Sequence, residues 1–131
     1  MNSAYSLLLE KFEASEIEPD TFHHSEHVEA AYEMLRRYPF LEATWRYAET
    51  IRALAETAGA PDKFNVTITV AFLSVIAERM KQVEYADYQH FIEENADLGS
   101  AEMLNQRYSA ERLGSRMARQ VFLLPDKQEV E

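Results

Sequence analysis

The residues with the clearest capacity for chemistry are three histidines in the run from Phe22 to Val28, which reads FHHSEHV. On a helix His23 and His27 stand four apart and His24 and His27 three apart, so His27 can share a face with either. Two imidazoles at that HxxH spacing suit one divalent ion or an acid–base pair. A third metal ligand is missing nearby: no HExxH or ExxH pattern occurs, Glu26 points to another face, and Glu33 lies too far along. It would have to come from another helix, where Glu78, Asp87, His90 and Asn65 are the candidates. His90 and Glu94 form a second i, i+4 pair. A plainer account competes, in which His23 and His24 hydrogen-bond at a helix start and His27 is a satisfied half-buried polar residue.

Asn65, Thr67 and Thr69 interrupt an otherwise apolar segment. Buried polar groups need partners, whether helices, water or a ligand. A helical threonine can bond back to the carbonyl four residues earlier, which accounts for Thr67 and Thr69 without a ligand. Asn65 falls where a helix begins and where a ligand could meet free amides. Trp45, Tyr47, Tyr32, Tyr38 and Phe40 form an aromatic group suited to core packing, a self-association face or a ligand pocket. Arg36, Arg37, Arg46 and Arg52 read as solvated and paired with Glu33, Glu42, Glu49 and Glu56. No glycine-rich phosphate loop, GxSxG elbow or nucleophile–base motif occurs.

Helices must position these groups. A first helix is expected over Ala4–Ala14, capped by Ser3, with Leu8 and Phe12 on one face. Pro19 breaks the chain, and Asp20 is suited to cap a second helix that carries the histidines and ends near Tyr38, before Pro39. A third, Leu41–Ala58, repeats Leu41, Trp45, Ala48, Ile51 and Leu54 or Ala55 at helical spacing, with Gly59 and Pro61 as its stop. The segment Phe64–Met80 alternates like a half-buried strand through Phe64, Val66, Ile68, Val70 and Phe72, yet also fits a helix face. Its 17 residues hold no turn residue, which favours a helix. It is expected to be the central apolar helix, near residues 63–80, with Asp62 as its cap.

A shorter helix is expected over Tyr85–Asn95. Another starts at Gly99 and Ser100 and runs through Met103 and Leu104. Ser109 and Ser115 cap two brief helical turns before an apolar exit at Val121–Leu124. The chain therefore reads as all-α, one compact bundle of about six or seven helices spanning residues 1–131. Its core covers about 20–124, and 126–131 reads as a frayed polar end.

Composition excludes several functions. The 131 residues carry 13 Lys and Arg against 23 Asp and Glu, a formal charge of -10. That balance argues against nucleic acid and against an anionic membrane surface, both of which attract basic footprints. The acidic residues are spread evenly, 12 in residues 1–65 and 11 in 66–131, so no acidic arm stands apart. Hydrophobic residues make up 47%, enough for a packed core. With no Cys, disulfides and thiolate sites are excluded. The N-terminal run Leu7–Leu9 is too short for a signal sequence, and no stretch matches a membrane span, so a cytoplasmic location is expected.

Three segments, FHHSEHVEAAYEMLRRYPFLEA, APDKFNVTITVAFLSVIAERM and RYSAERLGSRMARQVFLLPD, carry a resemblance. Together they resemble an uncharacterised family of small bacterial helical proteins over roughly residues 20–126. That family shows F-x-H-x-x-H-V near the start, Y-H-x-T-I-T before the long middle helix, and Y-S-x-E-x-L-x-S-x-x-A-R-x-x-F-x-x-P-D at the end. No established activity attaches to it. The matched positions are His24, His27, Thr67, Thr69, Tyr108, Ser109, Leu113, Ser115, Arg119 and Asp126. Phe64 and Asn65 depart from Y-H-x-T, so a histidine ligand at that point would be lost here.

Three functions follow as expectations. The first is a small-molecule pocket between the second and fourth expected helices, lined by His24, His27, Asn65, Thr69, Tyr32 and Trp45. His27 and His24 would serve there as catalytic groups for proton transfer, or the site would sequester without turnover. The second is an acidic interaction or regulatory module whose aromatic face makes a homo-oligomer. The third is a metal-dependent enzyme using His24, His27 and a carboxylate. No cofactor beyond that divalent metal is expected.

Overall fold

Pro39 cannot continue a helix from its N-terminal side, and it sets the first turn of the fold. The structure, a computed structural model, describes residues 24–127. Helix α1, His24–Arg37, runs up to that proline, and α2, Phe40–Thr57, leaves it. The two fold together so that His27 meets Tyr47, 20 residues later. At the far end of α2, Gly59 takes a φ of +73°, which glycine accepts without a Cβ penalty, and Ala60 N–H bonds back to the Ala55 carbonyl at 2.9 Å.

Helix α3 spans Val66–Gln82. Its cap is Asn65 and not Asp62, which sits in the short 3-10 turn Pro61–Lys63. Asn65 is extended and its Oδ1 accepts from Ile68 N–H at 2.9 Å, so the helix starts two residues later than the apolar pattern begins. Helix α4, Tyr88–Glu94, is likewise shorter than expected because Asp87 caps it. The stretch after Gly99 forms a 3-10 turn over Ala101–Gln106. Helices α5, Ala110–Leu113, and α6, Arg116–Gln120, are capped by Ser109 and Ser115 as their spacing predicts. The described chain is thus all-α, six helices without a strand. None is long and apolar enough to cross a membrane. The expected helix over Ala4–Ala14, and the caps Ser3 and Asp20, lie outside the described residues.

α3 is the centre. One side of it, Phe72, Leu73 and Ile76, packs with Val28, Ala31, Met34, Tyr47, Leu54, Phe91 and Leu98. The other, with Ala71, meets Leu104, Tyr108 and Leu113. A helix apolar on both sides has to be enclosed, which is why its pattern resembles a strand as much as an amphipathic helix. On α2 the buried residues are Ala43, Tyr47, Thr50 and Leu54. This corrects the expected stripe through Leu41 and Trp45, which are 80% and 67% exposed. α2 has apolar residues over more than half its circumference, and the face holding Tyr47 is the one that meets α1 and α3.

After α6 the chain runs extended across the start of α3. Thr67 is fully buried, and its hydroxyl donates to the Val121 carbonyl at 2.7 Å while accepting from Leu123 N–H at 2.9 Å. Its partner is therefore this strap and not the carbonyl four residues earlier. Tyr108 Oη–H donates to the Leu123 carbonyl at 2.8 Å, and Arg112 Nε–H to that of Leu124 at 2.8 Å. Asp126 accepts from Ser109 N–H and Oγ–H at 2.8 and 2.7 Å, and Lys127 donates to the Asn105 carbonyl at 2.8 Å. Asp126 and Lys127 are anchored rather than frayed, because the turn before α5 offers them partners that a linear reading does not show.

The expected surface pairs form at Arg36–Glu33, Arg46–Glu42 and Arg52 with Glu49 and Glu56. Glu33 is buried and not on a solvated face as expected, whereas the pairs of Arg46 and Arg52 are exposed and contribute about 0–1 kcal/mol each. Asp97 and Arg79 make two bonds at 2.7 and 2.8 Å, and the guanidinium holds the Asp97 carboxyl below its usual range.

Candidate functional site

His27 lies in the first turns of α1, Tyr47 in the middle of α2, and Asn65 and Thr69 at the start of α3. These three helices meet around a cavity of about 190 Å³ lined by those four polar residues, with Ile51, Phe64, Ile68 and Phe72 as apolar walls and Lys63 at its edge. The walls are mostly apolar. Such a space, with few placed polar groups, is what a small-molecule site requires.

The polar groups differ in what they have left to offer. Asn65 uses both ends of its amide: Oδ1 caps α3 and Nδ2 donates to the Leu113 carbonyl at 2.7 Å. It therefore shapes the cavity mainly as a structural wall. Tyr47 is 4% exposed, and its hydroxyl lies 3.3 Å from the His27 carbonyl oxygen and 3.4 Å from His27 Nδ1. Burial pushes the Tyr47 phenol well above its usual range, so it stays a neutral hydroxyl. Thr69 is 9% exposed and faces the same space.

Of the residues expected to line one pocket, His27, Asn65 and Thr69 do meet. Tyr32 instead packs its ring against Phe91 at 4.9 Å and Tyr88 at 5.6 Å, on the far side of α1. Trp45 points to solvent, one helical face away from Tyr47. His24 is the first residue of α1. Its side chain and the whole of His23 lie outside what the structure describes. Tyr47 was the residue missed as a site group. The hairpin about Pro39 was the available signal, since it folds α2 back along α1 and brings residues of the two helices together.

The suggested third metal ligands are dispersed. Asp87 caps α4 by accepting from His90 N–H, His90 Nδ1 accepts from Ala86 N–H at 3.1 Å, and Glu78 lines a groove on another side of α3. Among the described residues no three His, Asp or Glu side chains gather as a metal site requires. That groove, about 320 Å³ between α3, the 3-10 turn Ala101–Gln106 and the strap, is larger than the His27 cavity. Its walls are about half polar and its Arg79 is already committed to Asp97, so it offers a ligand less apolar contact.

On α1, Glu29 is the most perturbed carboxyl among the described residues. Desolvation first, then the neighbouring charges of Glu33 and Glu26, push its pKa up from 4.5 to about 7. A carboxyl whose folded pKa is raised disfavours the fold once ionised. The penalty is absent below pH 4.5, grows as pH rises to 7, and is complete above it. Glu29→Gln is therefore expected to stabilise the protein at pH 8 by about 1 kcal/mol, a figure already reduced for solvent screening. At pH 4.5 it should change nothing, and urea unfolding at the two values checks both outcomes.

No family model, no curated protein and no solved structure matches this chain.

Proposed function

We propose that this chain binds a small, mainly apolar molecule in the cavity between α1, α2 and α3, with the ligand's polar end at His27. One observation carries the reading: residues from three separate helices bring an imidazole, a buried phenol and a threonine to one mostly apolar cavity of about 190 Å³. A cavity of roughly 150 Å³ is enough to hold benzene, so the ligand is of the size of one ring with a short substituent. Burial of its apolar part supplies the affinity, and the few polar groups orient it. Proton exchange with the imidazole is the chemistry open to a molecule held there, alongside sequestration without turnover.

A thermal-shift titration with phenol, cyclohexanol and benzene tests this. Ligand at about 100 times its Kd adds about 2.7 kcal/mol to stability, a rise of several degrees in Tm. The shift should vanish in Ile51→Trp, which fills the cavity. No shift in the wild type, or an equal shift in Ile51→Trp, would contradict the reading.

A second reading has its own observation. Phe40, Leu41 and Trp45 are exposed together at the start of α2, an apolar group of the kind that marks an association surface. Homo-oligomerisation through it predicts that sedimentation velocity shows a concentration-dependent species lost in Trp45→Ala. Because Trp45 is outside the core, that variant should keep its monomer stability within about 0.5 kcal/mol.

A further inference from the structure

The cavity beside His27 is one-sided in its charges. No Asp or Glu lines it, although the chain carries 23 of them. Lys63 stands at its edge, exposed, and its ammonium has no ion pair or hydrogen bond among the described residues. The 3-10 turn fixes that lysine: Lys63 N–H donates to the Ala60 carbonyl at 3.0 Å and Phe64 N–H to that of Pro61 at 3.2 Å. A lysine so placed lays its stem along the apolar wall and keeps its charge at the mouth. Asp62, its neighbour in sequence, is exposed and does not line the cavity.

Thr69 supplies a second, independent observation. It is only 9% exposed and lines the cavity, and its hydroxyl has no hydrogen-bond partner among the described residues. A buried hydroxyl without a partner is costly, so a ligand atom that accepts from it gains. The first turn of α3 lies here as well, through Asn65, Ile68 and Thr69, and the positive end of a 17-residue helix favours negative charge. Besides His27, a ligand therefore meets a cation, a hydroxyl donor and a helix N-terminus, with no anion among the lining residues. The chain's charge of -10 opposes this weakly, because screening over about 8 Å leaves the nearest charge, Lys63, dominant.

We infer that the polar end of the molecule bound beside His27 is a carboxylate, recognised by Lys63 and Thr69, so that the cavity takes small aromatic or branched aliphatic monocarboxylates. The inference rests on the small-molecule reading given above and names its ligand class. The Thr69 hydroxyl donates to a carboxylate oxygen, and the Lys63 ammonium stands against the charge. A neutral alcohol of the same shape keeps the apolar burial and loses the charge, and an amine meets a like charge.

Titration of the full chain with benzoate, benzyl alcohol and benzylamine, near neutral pH and at low salt, tests this. Benzoate should bind about fivefold more tightly than benzyl alcohol, the scale of one partly exposed ion pair, and benzylamine more weakly than either. Salt at about 0.5 M should shrink the advantage of benzoate. In Lys63→Gln benzoate and benzyl alcohol should approach parity, and in Lys63→Glu benzylamine should become the tightest. Lys63 is exposed, so both variants should keep the cooperative melt. Thr69→Ser, which keeps the hydroxyl, should retain the benzoate preference, and Thr69→Val should reduce it. Parity of benzoate and benzyl alcohol in the wild type overturns the carboxylate assignment and leaves the cavity reading standing. A benzoate advantage that survives Lys63→Glu, or benzoate binding that survives Ile51→Trp, places the carboxylate elsewhere and also overturns it. Binding of none of the probes overturns the cavity reading and this inference together.

Discussion

Phe91→Ala is expected to lower the unfolding free energy by about 3–5 kcal/mol, the range for emptying an aromatic site in a packed core. Phe91 is fully buried, and its ring lies 4.9 Å from that of Tyr32 and 5.0 Å from that of Tyr85, the latter nearly edge-on. It is also the main anchor of α4, a seven-residue helix that would not persist in water alone. Truncation leaves a void between α1 and α4 and removes the reason for α4 to stay docked. Its Asn95 side chain donates to the Phe91 carbonyl and is itself buried, so loosening α4 also strands that amide. Urea unfolding checks the size of the effect. A loss below about 1 kcal/mol would mean that α4 is not part of the cooperative core.

Thr67→Val should cost about 2–3 kcal/mol although it changes neither shape nor volume appreciably. The hydroxyl of Thr67 bonds the strap to the buried face of α3, accepting from Leu123 and donating to Val121. Valine removes both bonds and leaves the two main-chain groups without a partner until the strap lifts to reach water. The loss should therefore be accompanied by faster amide exchange at Leu123 and earlier proteolysis after Gln120, with little change in α1 and α2. Asp126→Ala, which removes an exposed anchor of the same strap, should cost less than Thr67→Val. Equal exchange at Leu123 in wild type and Thr67→Val would show that Thr67 does not hold the strap.

The strap explains what was and was not legible in the sequence. Caps were readable where a serine precedes a short apolar helix, as at Ser109 and Ser115, because the signal and its effect lie within three residues. The stop at Gly59 was readable for the same reason. The extended segment from Val121 to Lys127 was not, since its partners are Thr67, Tyr108 and Asn105, all distant in the chain. Ser109 and Ser115 cap short helices, and Tyr108 and Asp126 fasten the strap.

The site was legible in part. His27, Asn65 and Thr69 stood out as polar residues in apolar surroundings, and they line one cavity. Trp45 and Tyr47 could not be separated from sequence, because α2 is apolar around most of its surface and periodicity does not choose which side meets the neighbours. Tyr32 was drawn into the site by its position near the histidines, yet its ring belongs to the α4 contact. Both ends of the Asn65 amide are used, to start α3 and to hold the Leu113 carbonyl. That use is open to an amide, whose oxygen accepts while its nitrogen donates.

The most direct test of the central claim is where a small ligand sits. With phenol at saturation, isotope-filtered NOE spectra should show contacts from its ring protons to the methyl groups of Ile51, Ile68 and Thr69, the residues that enclose the cavity beside His27. Contacts confined to Val75 and Leu104, in the groove on the other side of α3, or none at all under saturating phenol, would contradict it.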